Sequence, residues 1–112
     1  MKEISFIIRT LRDYKIIPIE KITVCKAEGS YSVINLDDGS DILVSKSLLY
    51  IERQLNDKYF IRCHNSYLIN AQKIQSFNRK LKILTISGLS VPVSRRKCRN
   101  LILKMKEIYS HF

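Results

Sequence analysis

The chain has 112 residues, of which 46% are hydrophobic, and a formal net charge of +10. A chain of this size buries about two-thirds of its surface on folding and needs neither a metal nor a disulfide, so we expect one domain over residues 1–112 with its core at about 4–108. No apolar run approaches the roughly 20 residues of a membrane span, and the charged N-terminus excludes a signal peptide, which predicts a cytoplasmic protein that binds no membrane.

Short strand patterns separated by turns fill most of the first half of the chain. The first two patterns indicate a hairpin, and Pro18 places the second at the edge of a sheet. The sequence Asp-Asp-Gly-Ser at 37–40 is a strong hairpin turn, because Gly39 tolerates a positive φ. The predicted strands are 4–8, 15–19, 22–25, 31–36 and 41–44.

A short helix is predicted after Ser45-Lys46-Ser47, because Leu48, Ile51 and Leu55 recur at helical spacing on one face. It is expected to end at Asn56-Asp57. The second half begins as a strand at residue 60 and continues through a brief helical turn at 71–74, a hairpin at 74–77 and 82–86, and a strand to residue 93.

The last predicted element is a helix with Ser94 as its N-cap. Its apolar stripe consists of Leu101, Ile102, Met105, Ile108 and Tyr109. Many short strands with two short helices predict a mainly β fold, with one short central helix and a C-terminal helix.

The charges are completely segregated along the chain. Residues 1–59 hold nine Lys and Arg and nine Asp and Glu, whereas residues 60–112 hold eleven Lys and Arg and the single acid Glu107. This segregation favours a cationic face that binds a polyanionic partner, usually nucleic acid. The alternative interpretation is a basic surface that only keeps the protein soluble.

Cations also crowd the start of the predicted C-terminal helix, where Arg95, Arg96 and Lys97 follow the cap. The helix dipole disfavours cations there by roughly 0.3–1 kcal/mol each. Free backbone amides and cations can instead converge on a phosphate, so we interpret these residues as an anion-binding segment rather than as three solvated charges.

The central stretch FIRCHNSYLIN at 60–70 is unusually rich in hydrogen-bonding side chains for a segment with apolar anchors. Strand alternation predicts that Ile61 and Cys63 face the core, while Arg62 and His64 face outward or into a polar network. Cys63 and His64 therefore point to opposite faces, which argues against a nucleophile and base or a metal pair. Cys63 is interpreted as a small core residue.

No catalytic, nucleotide-binding or metal motif is present in the sequence. Its three glycines form no phosphate-binding loop, and its acidic residues show no paired-carboxylate pattern. Three widely spaced cysteines without a C-x-x-C motif indicate reduced thiols. We therefore predict a protein that is not an enzyme and needs neither cofactor nor metal.

The 60–70 stretch resembles the hallmark of the LytTR family of bacterial DNA-binding domains, F-x-R-x-H-x-S-[YF]-[LIV]-[LIV]-N. The similarity extends to four flanking segments: the strand from Ile22, which lacks the usual pair at Cys25-Lys26; Glu28-Gly29-Ser30-Tyr31; the helix with Ser47-Leu48 and Ile51-Glu52; and Gly88 with Val91-Pro92-Val93-Ser94-Arg95-Arg96. It covers about residues 4–108.

The resemblance implies an elongated antiparallel β domain whose loops enter successive major grooves of duplex DNA. It implies base contacts from three places: Asn65, Arg95 and Tyr31. Asn pairs well with adenine and Arg with guanine, whereas Tyr31 is equally compatible with packing on a sheet face. Backbone contacts are expected from Ser66, Arg96 and Lys97, and supporting roles from Arg62, His64 and Asn70.

The family also implies how the domain works in a regulator. Its members commonly follow a receiver domain in two-component response regulators, so the chain is either the output domain of such a regulator or a stand-alone one. They usually occupy direct repeats, which predicts a domain that is monomeric in solution and binds as two copies on bent DNA.

Two other functions are compatible with parts of the sequence. A basic RNA or single-strand binder requires exposed aromatic residues for base stacking, with Tyr31, Tyr67 and Phe77 as candidates. A protein-interaction or enzymatic module has no positive feature in the sequence.

Overall fold

The computed structural model describes residues 5–55 and 59–109. These residues form a mainly β, antiparallel fold with two α-helices, as predicted. The strands are β1 (Ser5–Arg9), β2 (Tyr14–Pro18), β3 (Ile22–Glu28), β4 (Tyr31–Leu36), β5 (Asp41–Val44), β6 (Phe60–His64), β7 (Tyr67–Asn70), β8 (Ile74–Asn78), β9 (Ile83–Ile86) and β10 (Leu89–Pro92), and the helices are α1 (Leu48–Leu55) and α2 (Cys98–Ile108). The predicted helix end at 56–57 lies outside the described residues.

The strands pair into three antiparallel sheets. A five-stranded sheet has the order β5-β4-β3-β7-β6, a three-stranded sheet the order β10-β9-β8, and β1 and β2 form the predicted N-terminal hairpin. The protein measures 41 × 36 × 24 Å. No helix within residues 5–55 and 59–109 is long and apolar enough to cross a membrane.

The five-stranded sheet is covered on both faces, so the domain has two hydrophobic clusters. The first packs one face against the β1–β2 hairpin and α1, with Ile8, Ile17, Ile34 and Ile51 among its buried members. The second packs the other face against the three-stranded sheet and α2, and its buried members include Val24, Ile61, Cys63, Ile69, Leu84, Ile86, Val91 and Leu101. The central sheet thus separates the α1 side from the α2 side.

Two β-bulges adjust which side chains reach each cluster. The register between β3 and β4 shifts between Ile22 and Val24, so that Ile22 and Cys25 both join the first cluster while Val24 joins the second. In β6 the shift falls between Arg62 and His64. An extra residue in a bulge has no strand partner, and in β6 that residue is Cys63.

Some predicted boundaries were wrong by a few residues. Ile19 belongs to a 3-10 helix at Ile19–Lys21 rather than to the second strand. Lys82 lies in the turn before β9, with a φ of 56°. The C-terminal α-helix begins at Cys98, and Arg95–Lys97 form a separate 3-10 helix before it.

Candidate nucleic-acid interface

Three turns lie at one end of the five-stranded sheet. The β3–β4 turn follows the pairing of Glu28 with Tyr31. Beside it, the amide of Ala27 donates to the carbonyl of Ser66 at 2.9 Å, which brings the β6–β7 turn to the same end. The first two predicted contact loops are therefore neighbours, because β3 pairs with both β4 and β7.

The third loop reaches the same end through the bulge in β6. Cys63 has no partner residue in β7. Its carbonyl accepts a hydrogen bond from the amide of Ser94 at 2.9 Å. This bond ties the segment after β10 to the strand that leads into Asn65. We call the three neighbouring segments, residues 29–31, 65–66 and 94–97, the loop ridge.

The side chains predicted to contact DNA differ in exposure along the loop ridge. Asn65, Arg95 and Arg96 are exposed, and Tyr31 is 41% exposed. The two others predicted to contact the DNA backbone, Ser66 and Lys97, are half-buried. The described structure thus brings all six predicted contact residues to one end of the sheet.

Arg62 braces the turn that carries Asn65. Its Nε donates to the carbonyl of His64 at 3.0 Å, and its Nη2 donates to the carbonyl of Asn65 at 2.6 Å. Its Nη1 binds Glu52 Oε1 in α1 at 2.7 Å. One guanidinium therefore anchors two successive turn carbonyls to a helix, which suits its planar set of donors.

His64 also contacts the β6–β7 turn, through its ring. Its Nδ1 accepts a hydrogen bond from the amide of Ser66 at 3.0 Å, and its ring meets Tyr67 edge to face with the centroids 5.7 Å apart. Asn65 is thus the exposed residue between two residues whose positions are set by local contacts.

Asn70, the remaining residue predicted to have a supporting role, lies at the other end of β7. It is 1% exposed. Its Nδ2 donates to the carbonyl of Ile22 at 2.9 Å, and its Oδ1 accepts from the amide of Gln72 at 3.0 Å, at the start of the 3-10 helix Ala71–Lys73. The geometry ties β7 to β3 far from the loop ridge.

The predicted cap at Ser94 is wrong. Its hydroxyl makes no capping bond and is a buried oxygen without a hydrogen-bond partner among the described residues. The backbone of Ser94 makes the local contact instead, because its carbonyl accepts a hydrogen bond from the amide of Lys97 at 3.0 Å. Arg95, Arg96 and Lys97 consequently precede the α-helix rather than occupy its first turn, which contains no acid.

Sequence reasoning missed a neighbouring cationic element, the β8–β9 turn with Arg79, Lys80 and Lys82. The amide of Val93 donates to the carbonyl of Lys82 at 2.9 Å, so this turn adjoins the segment that leads into Arg95. Three cations within four residues were the available signal, but their position beside residues 94–97 depends on the pairing of β9 with β10.

The cysteines do not form a reactive site. Cys25 and Cys63 are buried and Cys98 is half-buried. Loss of hydration on burial raises the pKa of both the Cys25 and the Cys63 thiols to about 12. Within the described residues, no group of three or more His, Cys, Asp and Glu side chains is arranged to hold a metal ion.

We expect Cys98 to react with a thiol reagent at pH 8 well before Cys25 and Cys63. With a pKa of about 12, about one buried thiol in ten thousand is ionised at pH 8, and the thiolate is the nucleophile. Mass spectrometry after brief labelling measures this order, and labelling in guanidinium is the control in which all three react. Rapid native labelling of Cys63 would contradict its burial.

Known proteins resemble this chain in sequence and in fold. A family model described as "LytTr DNA-binding domain" matches residues 12–106. The sensory transduction protein LytT of Bacillus subtilis (strain 168) is 36% identical over 62 residues, which cover 52% of this chain and 26% of that protein. The chain thus spans about a quarter of the length of this curated relative.

A solved structure shares the fold. The LytTr DNA-binding domain of a protein described as a methyl-accepting/DNA response regulator from Bacillus cereus superposes with a TM-score of 0.71 at 24% sequence identity. The match covers 91% of this chain and 98% of the other.

Proposed function

The chain belongs to the LytTR family of DNA-binding domains, and from this premise we propose that it recognises a specific duplex DNA sequence as the output domain of a bacterial transcriptional regulator. The observation that carries the proposal is the hydrogen bond between Ser94 and Cys63. It joins the segments of Asn65 and Arg95, two exposed side chains suited to reading bases.

Base readout is assigned to the exposed side chains of the loop ridge. Asn65 has the donor and acceptor that pair with adenine, and Arg95 has the paired donors that suit guanine O6 and N7 in the major groove. Tyr31 is the third candidate, and its 41% exposure supports a contact from the β3–β4 turn. Arg62 supports readout indirectly, because it holds the carbonyl of Asn65.

Contacts with the DNA backbone are assigned to Ser66, Arg96 and Lys97. A hydroxyl and two cations bind phosphate oxygens without regard to base sequence. With about five phosphates contacted, the slope of log K against log salt is expected to be about −4 to −5. His64 and Asn70 complete the proposal as residues that orient the turn and tie the strands.

The regulator is proposed to act in the cytoplasm, where two copies of a monomeric domain occupy direct repeats. The length of LytT, of which this chain matches 26%, supports a further domain such as a receiver in the same polypeptide. Analytical ultracentrifugation of the chain alone and with one or two repeats measures both stoichiometries. A stable dimer without DNA would contradict the proposal.

Single-strand or RNA binding is less well supported by the aromatic residues. Tyr67 and Phe77 pack against the second hydrophobic cluster, which leaves Tyr31 as the exposed member of the three candidates. Stacking of successive bases needs several accessible rings. Competition between duplex and single-stranded forms of one selected site decides between the two functions.

We expect Asn65→Ala to remove the preference at one base pair of a selected site. The loss of a bidentate contact is worth about 1–3 kcal/mol, or about 5- to 150-fold in discrimination. Gel shifts with the selected duplex and its single-base variants measure the preference. Lys97→Ala is the comparison, since loss of a phosphate contact weakens all sequences alike.

The test requires a site from random-oligonucleotide selection with the full chain. Asn65→Ala is expected to change the free energy of unfolding by less than about 0.5 kcal/mol, because the side chain is exposed. Equal binding of wild type and Asn65→Ala to every single-base variant would remove Asn65 from readout.

A further inference from the structure

The β8–β9 turn carries three cations beside the loop ridge, namely Arg79, Lys80 and Lys82. The amide of Lys82 donates to the carbonyl of Asn78 at 2.7 Å, and the amide of Leu81 donates to Asn78 Oδ1 at 2.9 Å. The backbone that carries Arg79 and Lys80 is therefore held in one conformation, while both side chains are exposed.

Lys82 occupies a position in this turn where the backbone conformation favours glycine. Lys82 has a φ of 56°, a left-handed conformation that favours glycine or asparagine over other residues. The Nζ of Lys82 donates to the carbonyl of Arg79 at 3.4 Å, so this cation stays beside the backbone of the turn. The carbonyl of Lys82 also accepts a hydrogen bond from the amide of Val93, which ties the turn to the segment that leads into residues 94–97.

The turn and the start of α2 share one shallow depression, lined by Arg79, Lys80, Lys82, Cys98 and Ile102. Arg99 is exposed on the first turn of the same helix. None of the salt bridges described for residues 5–55 and 59–109 involves any of these cations.

The nearest acid along this half of the chain is Glu107, eight residues beyond Arg99 in α2, which is about 12 Å along a helix axis. Three cations therefore line the depression and a fourth, Arg99, lies on the same helix turn, and none of the four is in a salt bridge described for residues 5–55 and 59–109. Their attraction to a polyanion is strongest where no protein carboxylate competes.

The cationic turn is also within reach of a duplex bound at the loop ridge. A path of neighbouring backbone segments leads from the loop ridge to the cationic turn. Each segment is hydrogen-bonded to the next or continues into it, in the order Tyr31, Ala27, Ser66, Cys63, Ser94 and Lys82. Five spacings of neighbouring strands amount to about 24 Å. One helical turn of DNA is about 34 Å, which exceeds this path, so the two surfaces are close enough for one bound duplex to contact both.

We propose that residues 79–82 and Arg99 form a second, sequence-independent contact with duplex DNA, which binds backbone phosphates flanking the base pairs read by the loop ridge. This inference rests on the proposed function and extends its footprint. Because phosphates flank every site, the contact raises affinity without altering base preference.

The test compares two charge-matched double variants of the full chain. Arg79→Ala with Lys80→Ala removes the exposed turn cations, and Arg12→Ala with Lys15→Ala removes the same charge from the β1–β2 hairpin, which lies by β5 at the opposite edge of the sheet. Fluorescence anisotropy gives Kd at several salt concentrations. One duplex carries only the selected site, and another adds about one helical turn of unrelated sequence on each side.

On the long duplex, the turn variant is expected to bind about 10- to 60-fold more weakly at 0.1 M salt, and the slope of log K against log salt is expected to fall in magnitude by about 1.8 for two lost phosphate contacts. On the short duplex it is expected to bind within about threefold of wild type. The ranking of single-base variants of the site stays unchanged. The hairpin variant keeps the wild-type slope on both duplexes.

Equal losses in the two double variants, or a turn variant with the wild-type slope, would overturn the inference while leaving sequence-specific binding intact. Equal losses on the short and long duplexes would also overturn it, because the contact would then lie within the site. A wild-type chain that shows no preference among duplex sequences would instead overturn the proposed function, and the flanking contact with it. Thermal unfolding of each variant confirms that the fold is retained.

Discussion

Replacing Arg62 with Met is expected to lower the free energy of unfolding by about 2–4 kcal/mol, since hydrogen bonds to charged groups are worth about 1.5–3 kcal/mol each and do not add fully. The change removes the bonds to the carbonyls of His64 and Asn65 and leaves Glu52 without its cation. Urea denaturation followed by circular dichroism measures the loss of stability.

The same variant is expected to lose affinity for the selected DNA even where it is fully folded. Arg62 holds the carbonyl of Asn65 at 2.6 Å, so its removal loosens the turn that presents Asn65. We expect at least a tenfold loss, which corresponds to about 1.4 kcal/mol, and most of it should disappear when Asn65 is already Ala.

Glu52→Gln is the matched control for Arg62→Met. It removes the charge of the partner at 2.7 Å but leaves the two turn carbonyls bonded to Arg62. Because the pair is partly exposed, with side-chain exposures of 21% for Arg62 and 36% for Glu52, we expect a loss of about 1 kcal/mol or less. Equal effects of the two changes would show that the ion pair, not the bracing of the turn, is what matters.

Leu101→Ala is expected to reduce the free energy of unfolding by about 3–5 kcal/mol. Leu101 is fully buried in the second hydrophobic cluster, and truncation of a buried leucine combines lost burial with a residual cavity. Thermal unfolding should show a fall in Tm of more than about 10 °C for a chain of this size.

Leu103→Ala provides the control on the same helix, since Leu103 is 51% exposed. Its effect is expected to stay within about 0.5 kcal/mol. At a temperature where both variants are folded, their DNA affinities should match that of wild type within about threefold. A comparable destabilisation by both changes would contradict the packing of α2 through Leu101.

Much of the fold was accessible from local sequence patterns. The spacing of Leu48, Ile51 and Leu55 predicted α1, and all three are buried on its inner face. Alternation correctly predicted that Ile61 and Cys63 are buried. The family resemblance carried by residues 60–70 was confirmed by the family model over residues 12–106, because that motif joins many specific residues at fixed spacing.

Predictions that depended on backbone conformation at the ends of elements were less successful. Ser94 has the composition of an N-cap, but the 3-10 helix at Arg95–Lys97 displaces the start of α2 to Cys98. Propensity describes a residue in an average setting, whereas here the amide of Ser94 is already committed to the carbonyl of Cys63. Tertiary pairing therefore overrode the local preference.

The sequence by itself determined the mainly β class, the two helices, the cationic second half and the family, since each depends on residue types and their local spacing. Only the tertiary structure decided that the bulge at Cys63 frees a carbonyl for Ser94, and that Lys82 pairs with Val93 beside it. The first bond joins backbone groups far apart in the chain, and the second extends the β9–β10 hairpin. Backbone groups are the same in almost every residue, so the pattern of side chains does not predict which of them form hydrogen bonds with each other.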